Sequence, residues 1–288
     1  ISALIVGGVL KEVQENAFQS FDEKVNYQKD YIMKEMSNRW TNVEPYLQEI
    51  SALLPLDEQA VMDDYFEAST PALISMLRTT MTNGAFLILA NTDSSNQHEA
   101  LYLRDHDAYL NDGLNKDLYC VAGPSQICQA LKIPFDDNWG YQLTLTDENR
   151  AFYDEPAAHA HLSTNSKLLG YWSKPFKLAP TGVSIITYSL PIYDNKHVFR
   201  GIVGVELLLD QFTEVLPGKD LLARDSISYL IGYQEPGEDT ISPLITNGAL
   251  QERILQTDTA FQLETVNEAQ SIHILGNPKI TDTLYAKI

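Results

Sequence analysis

Residues 168–212 constrain this chain more than any other stretch. Residues 185–192 and 201–209 are rich in Val, Ile, Leu and Tyr, which suit a packed, pleated surface. Between them Tyr193-Asp194-Asn195-Lys196 supplies the Asp/Asn chemistry of a hairpin turn. Residues 169–176 read as a third strand, and the region 180–182, with Pro180 and Gly182, closes its connection to the second. The expectation is an antiparallel three-strand meander whose last strand runs on toward Asp210-Gln211-Phe212, where a helix can start.

At 288 residues, 44% of them hydrophobic, the chain has room for one large domain or two ordinary ones. With 39 acidic against 20 basic residues the net charge is −19. That charge excludes a nucleic-acid partner, because nothing neutralises phosphates, and disfavours an anionic lipid surface. No like-charge run marks an acidic tail, so the charge is spread over a solvated surface.

Cys120 and Cys128 lie in one polar, turn-rich segment. In an oxidising compartment they can close a small loop as a disulfide, which is the preferred expectation; the alternative is two buried thiols. A zinc site needs more soft ligands than this segment holds.

Residues 1–10 are apolar and uncharged, too few to cross a bilayer, which takes about 20. They read as the outer end of a membrane-spanning helix, with a signal-peptide remnant or a buried helix end as alternatives. From Leu10 to Ile50 apolar residues recur at steps of three and four, among them Val13, Val25, Trp40, Val43 and Leu47, which predicts one long amphipathic helix. Pro45 is expected to bend it. Its apolar stripe is either a dimer seam or a face packed on a sheet.

Residues 56–81 predict a second helix, with Asp57 or Glu58 near its start and a break or restart at Pro71. Residues 84–90 and 100–104 read as strands, 125–131 as a short helix, and 135–141 as part of a mixed stretch holding Trp139. Beyond Phe212 a smaller unit begins, with strands at 226–233 and 240–247, a helix at 249–256 and then a further segment at 261–275.

No nucleophile elbow, zinc-protease helix, P-loop or dinucleotide fingerprint is present. His159 and His161 can share one face of a strand, and Asp105-His106-Asp107 carries metal-capable side chains, but alternate polar residues at a strand end are usually just solvated. No metal or cofactor is expected. A binding pocket is better supported: Trp139, Phe152, Tyr153, Tyr171, Trp172 and Tyr188 can line one, with core packing as the alternative for each. Arg150 can fork onto a carboxylate and Glu206 can take an ammonium, the two ends of an amino acid. Glu206 interrupts an otherwise apolar strand, and a buried carboxylate needs a partner.

Tyr171-Trp172-Ser173-Lys174-Pro175-Phe176, then residues 186–193, then Gly201-Ile202-Val203-Gly204-Val205-Glu206 resemble the second half of a Cache sensor module, and the resemblance runs best over residues 84–212. It implies the extracytoplasmic ligand-binding part of a bacterial transmembrane receptor of the double Cache type. The implied fold is α+β: a long N-terminal helix (residues 1–55), a membrane-distal PAS-like module with an antiparallel sheet under a helical cap (56–212), and a second, smaller or incomplete Cache-like module (213–288). Amino-acid-binding members carry Arg-x-Trp-Tyr in the cap and an Asp on the last strand. Here Arg150-Ala151-Phe152-Tyr153 and Glu206 stand at those places, with Phe for Trp and Glu for Asp. The implied ligand set is Trp139, Arg150, Phe152, Tyr153, Tyr171, Trp172, Ser173, Tyr188 and Glu206, and the implied partners are a small molecule, a second copy along the N-terminal helix, and the membrane through flanking helices. A secreted hydrolase using a pocket carboxylate, or an interaction module without a ligand, are the rival classes.

Overall fold

The computed structural model describes residues 2–55, 62–91, 95–108, 115–179, 182–210, 228–234, 238, 240–248, 262–267, 271–275 and 284–285. The chain divides into two compact units, residues 36–211 and residues 1–35 with 212–288. Residues 36–55, expected to continue the N-terminal helix, fall in the first.

The unit 36–211 is built on one sheet. Its strands are β1 (Gly84–Leu89), β2 (Gln97–Asp105), β3 (Leu118–Ala122), β4 (Phe135–Gly140), β5 (Gln142–Thr144), β6 (Tyr171–Trp172), β7 (Ile185–Tyr193) and β8 (Phe199–Leu208). The order is β4-β3-β2-β1-β8-β7-β6, with β5 paired to the start of β2. The pairs are antiparallel except β3 with β4, which run parallel. The short helix between those two, α4 (Ser125–Leu131), is the crossover a parallel pair requires.

The expected meander is β8-β7-β6. Its hairpin turn is held by Asp194, whose Oδ1 accepts the backbone N–H groups of Lys196 at 2.8 Å and Val198 at 2.9 Å. The third strand is shorter than expected: pairing is confined to Tyr171–Trp172 and a lone bridge at Phe176. Beyond Asp210 the expected helix lies outside the described residues.

Both faces of the sheet are covered. One packs against α2 (Glu44–Ala52) and α3 (Met62–Thr80), burying Leu47, Ile50, Phe66, Leu73 and Leu77 on Leu87, Leu103, Leu190 and Val203. Trp40 joins this side, edge-on to Trp172 at 6.5 Å, and Trp172 packs on Tyr188 at 5.2 Å. The other face carries the cap, α5 (Ala151–His159), which lies over β6, β7 and β8. Under it Phe152 stacks on Phe176 at 5.0 Å and meets Phe86 edge-on at 5.3 Å.

Two expectations about helices change. The N-terminal helix is not continuous: α1 (Ser2–Lys34) is followed by a π-helical stretch at Glu35–Trp40, a turn, and then α2. Pro45 does not bend a helix but starts α2, where its missing N–H costs nothing. Pro71 neither breaks nor restarts α3, in which it lies on the exposed side. Asp57 and Glu58 lie outside the described residues; Asp63 and Asp64 supply the acidic first turn.

The other unit contains α1 and a five-stranded antiparallel sheet in the order β13 (Leu284–Tyr285), β12 (Ser271–Leu275), β11 (Gln262–Asn267), β10 (Thr240–Gly248), β9 (Ser228–Gln234). The two expected strands appear as β9 and β10. The helix expected at 249–256 lies outside the described residues. Among the described residues, no helix is long and apolar enough to cross a membrane.

Candidate functional site

Register brings three residues into one row. Gly84 on β1 pairs with Arg104 on β2 and with Glu206 on β8. Because Gly84 has no side chain, the flanking residues reach over it and meet. Arg104 donates from Nε to Oε1 of Glu206 at 2.7 Å and from Nη2 to Oε2 at 2.8 Å, a two-pronged pair. A Cβ at Gly84 would lie 3.0 Å from the Cβ of Glu206 and 3.2 Å from Cε2 of Tyr102, so a larger residue crowds the pair. The Tyr102 hydroxyl also donates to Oε2 of Glu206. Glu206 is fully buried, so each of these partners replaces water it has lost.

The electrostatics follow from this geometry. Burial works against the Arg104 charge, yet the adjacent Glu206 carboxylate outweighs it and holds the guanidinium firmly protonated. Burial, and then the Glu206 charge, push the Tyr102 phenol well above its ordinary value. Tyr119 on β3 is raised by burial, and the nearby Arg104 charge offsets part of that rise.

Above Arg104 lies a cavity of about 330 Å³. It occupies the half of the capped face that α5 leaves open. Its walls are Arg104 of β2, Val121 and Ala122 of β3, Asp136, Asn138 and Trp139 of β4, β5, and Leu178, Ala179, Gly182 and Val183. That volume falls at the small end of sites that take small molecules, and its lining is more polar than such sites usually are, with Arg104, Asp136, Asn138, Gln142 and Thr144. Just before the cap helix Asn149 donates from Nδ2 to the Leu178 carbonyl at 3.2 Å, and at the other end of the cap the Tyr193 hydroxyl donates to the Ala160 carbonyl at 2.6 Å.

The expected site residues separate into five groups. Trp139 lines the cavity and Glu206 lies beneath it, held by Arg104. Phe152 and Tyr153 are buried in the cap core, where Tyr153 packs on His98 at 4.3 Å. Trp172 and Tyr188 belong to the opposite core, against α2 and α3. Tyr171 and Ser173 sit on the edge of the sheet, where the Ser173 hydroxyl accepts the Thr187 N–H at 2.9 Å. Arg150 points away from the cavity: it is partly exposed and bound to Asp154 at 2.5 Å, one turn along the cap helix. The two-ended arrangement of Arg150 and Glu206 is therefore not assembled, because local pairing holds one and Arg104 the other.

Cys120 and Cys128 are both free, buried thiols rather than a disulfide. They share the core beside α3, and each neighbours the other closely enough to raise Cys120 and lower Cys128. His159 and His161 sit at the exposed end of α5 and in the turn after it, not on a strand, each ring bonded to a nearby backbone carbonyl. Among the described residues no group of His, Cys, Asp and Glu forms a metal site. Reading the sequence missed Arg104, Asp136, Asn138 and Gly84. Arg104 carried a visible signal, a charge inside an apolar strand, of the same kind that singled out Glu206.

Residues 131–214 match the model of the first PDC sensor domain of methyl-accepting chemotaxis protein-like receptors. Over those residues the chain is similar to a PDC-type sensor module. The matched span takes in the cap and the meander. A comparison with curated proteins finds no match. Similar solved structures include the extracellular domain of soHK1S-Z6, described as a histidine kinase, at 15% identity and a TM-score of 0.44, covering 70% of this chain and 64% of that one. The ligand-binding domain of the Pseudomonas aeruginosa amino acid chemoreceptor PctC, in complex with GABA, shares 15% identity, 95% of this chain and 91% of that one, with a TM-score of 0.45. That of the Campylobacter jejuni chemoreceptor Tlp3, in complex with L-norvaline, shares 10% identity, 90% and 85%, with a TM-score of 0.48. The chain thus spans just under two thirds of that extracellular domain. Identities this low fix no ligand.

Proposed function

We propose that this chain is the extracytoplasmic sensing part of a bacterial signalling receptor, and that a small molecule of the amino acid, amine or carboxylate kind binds in the cavity above Arg104. The observation that carries the reading is the cavity of about 330 Å³ beside a stretch that resembles a PDC sensor domain, with the Arg104 cation held in its wall. The chain acts by binding and not by breaking bonds. A ligand that favours one arrangement of cover and sheet shifts the population toward it. A homodimer along α1 and a membrane anchor beyond the described helices belong to the same reading; Val13 and Tyr27, both more than half exposed on α1, support the first.

The test is thermal unfolding of the folded domain against a library of amino acids, amines and small carboxylates. A compound that binds only the folded state adds about 2.7 kcal/mol at one hundred times its dissociation constant. A subset of compounds is expected to raise the midpoint. A library without effect would remove the cavity as the sensing site.

A further inference from the structure

The cavity and its floor hold one cation against two carboxylates. Among the described residues that line it, Arg104 is the only basic one, and Asp136 carries a negative charge. Glu206, behind Arg104, already takes Nε and Nη2. It does so from a position with no solvent exposure, with the Tyr102 hydroxyl holding its second oxygen. Only Nη1 of the guanidinium is left over by Glu206.

We propose that Glu206 is a specificity-determining residue: a built-in carboxylate that occupies Arg104 from inside the sheet, so that the cavity refuses simple anions and selects molecules of zero or positive net charge. This rests on the cavity being the ligand site and states which ligands it takes. Without Glu206, the guanidinium fork would present its paired N–H groups to a ligand carboxylate, the arrangement that binds such groups best. With Glu206 in place, an incoming anion meets only what Glu206 and the neighbouring Tyr119 hydroxyl leave of the guanidinium, and two negative charges, in a setting of low dielectric. The net charge of −19 works in the same direction at longer range, drawing cations in and turning anions away. Gly84 is part of the device, since the two side chains meet only over a residue that has none.

The experiment uses three probes of one shape and different charge: acetate, acetamide and acetamidinium, at matched ionic strength, read by thermal unfolding. In the parent domain acetate gives no stabilisation beyond that of acetamide or acetamidinium. In Glu206→Ala the side-chain volume beside Arg104 is vacated, and acetate raises the lowered midpoint while acetamide raises it less. Should Glu206→Ala fail to fold, the isosteric Glu206→Gln takes its place, and acetate is expected to shift that variant but not the parent. Acetate stabilising the parent more than its two isosteres would overturn the proposal. So would a folded Glu206 variant indifferent to acetate. Neither result depends on the natural ligand, so a library that finds none would count against the cavity reading while leaving the acetate result to stand.

Discussion

Arg104 and Glu206 lie two strands apart, and their side chains join over Gly84 at 2.7 and 2.8 Å. A buried pair of this kind costs desolvation on both sides, so its presence in the middle of an otherwise apolar sheet calls for measurement. Replacing one partner leaves the other charge buried and uncompensated, which costs about 3–5 kcal/mol, whereas replacing both by apolar residues is often neutral or better. Glu206→Leu is therefore expected to be strongly destabilised, and Arg104→Met with Glu206→Leu to recover most of that loss. Urea denaturation of the two single variants and the double one checks this as a double-mutant cycle.

Gly84→Ala inserts one methyl group 3.0 Å from the Cβ of Glu206 and 3.3 Å from its Cδ. The neighbours are a buried carboxylate and the buried Tyr102 ring, joined to each other by a hydrogen bond. Overpacking of this sort costs about 1–3 kcal/mol. The expected outcome is a lower denaturation midpoint at unchanged m-value.

Asp105 gives a pH-dependent prediction. Burial raises its carboxyl above the ordinary range, despite the Asp107 N–H it accepts at 2.8 Å. The folded protein thus holds this proton more tightly than the unfolded chain does. Its favourable contribution is present below the unfolded value and is lost as pH rises through the folded one. Asp105→Asn, which keeps an acceptor for Asp107, is expected to be more stable than the parent at neutral pH, with the difference shrinking to nothing in acid. Melting curves across pH 3 to 7 (roughly the span over which a raised carboxyl titrates) would show the convergence.

Two variants separate packing from binding. Trp40→Ala removes a fully buried ring from the Trp172–Tyr188 side of the sheet and is expected to cost about 3–5 kcal/mol without a specific effect on ligand. Arg150→Ala removes an exposed side chain paired with Asp154 and is expected to leave ligand affinity unchanged, as calorimetry on any ligand found would report.

The meander was legible because apolar runs and an Asp/Asn turn cluster are local signals, and residues 185–193 and 199–208 answer to them. The break in the N-terminal helix was not. Trp40, Val43, Leu47 and Ile50 keep the three-and-four spacing of the helix before them, yet they are buried while Val13 and Tyr27 are exposed. Periodicity states which residues share a face, not where the helix winds differently or what the face meets. The pocket aromatics failed for a related reason. With both faces of the sheet covered, Trp172, Tyr188 and Phe152 look alike in sequence, though the first two pack on α2 and α3 and the third under the cap. Glu206 was recognisable as a buried charge in need of a partner. Naming Arg104 as that partner needed the register of β2, β1 and β8, which no local pattern encodes.

The most direct test of the central claim is calorimetric titration of one stabilising compound into the parent domain and into Ala179→Trp. Ala179 lines the cavity, and an indole there takes up space that a ligand would need. The account predicts binding to the parent and at least a roughly tenfold loss of affinity in the variant, about 1.4 kcal/mol. Equal affinity in the two proteins would place the ligand elsewhere and contradict the account.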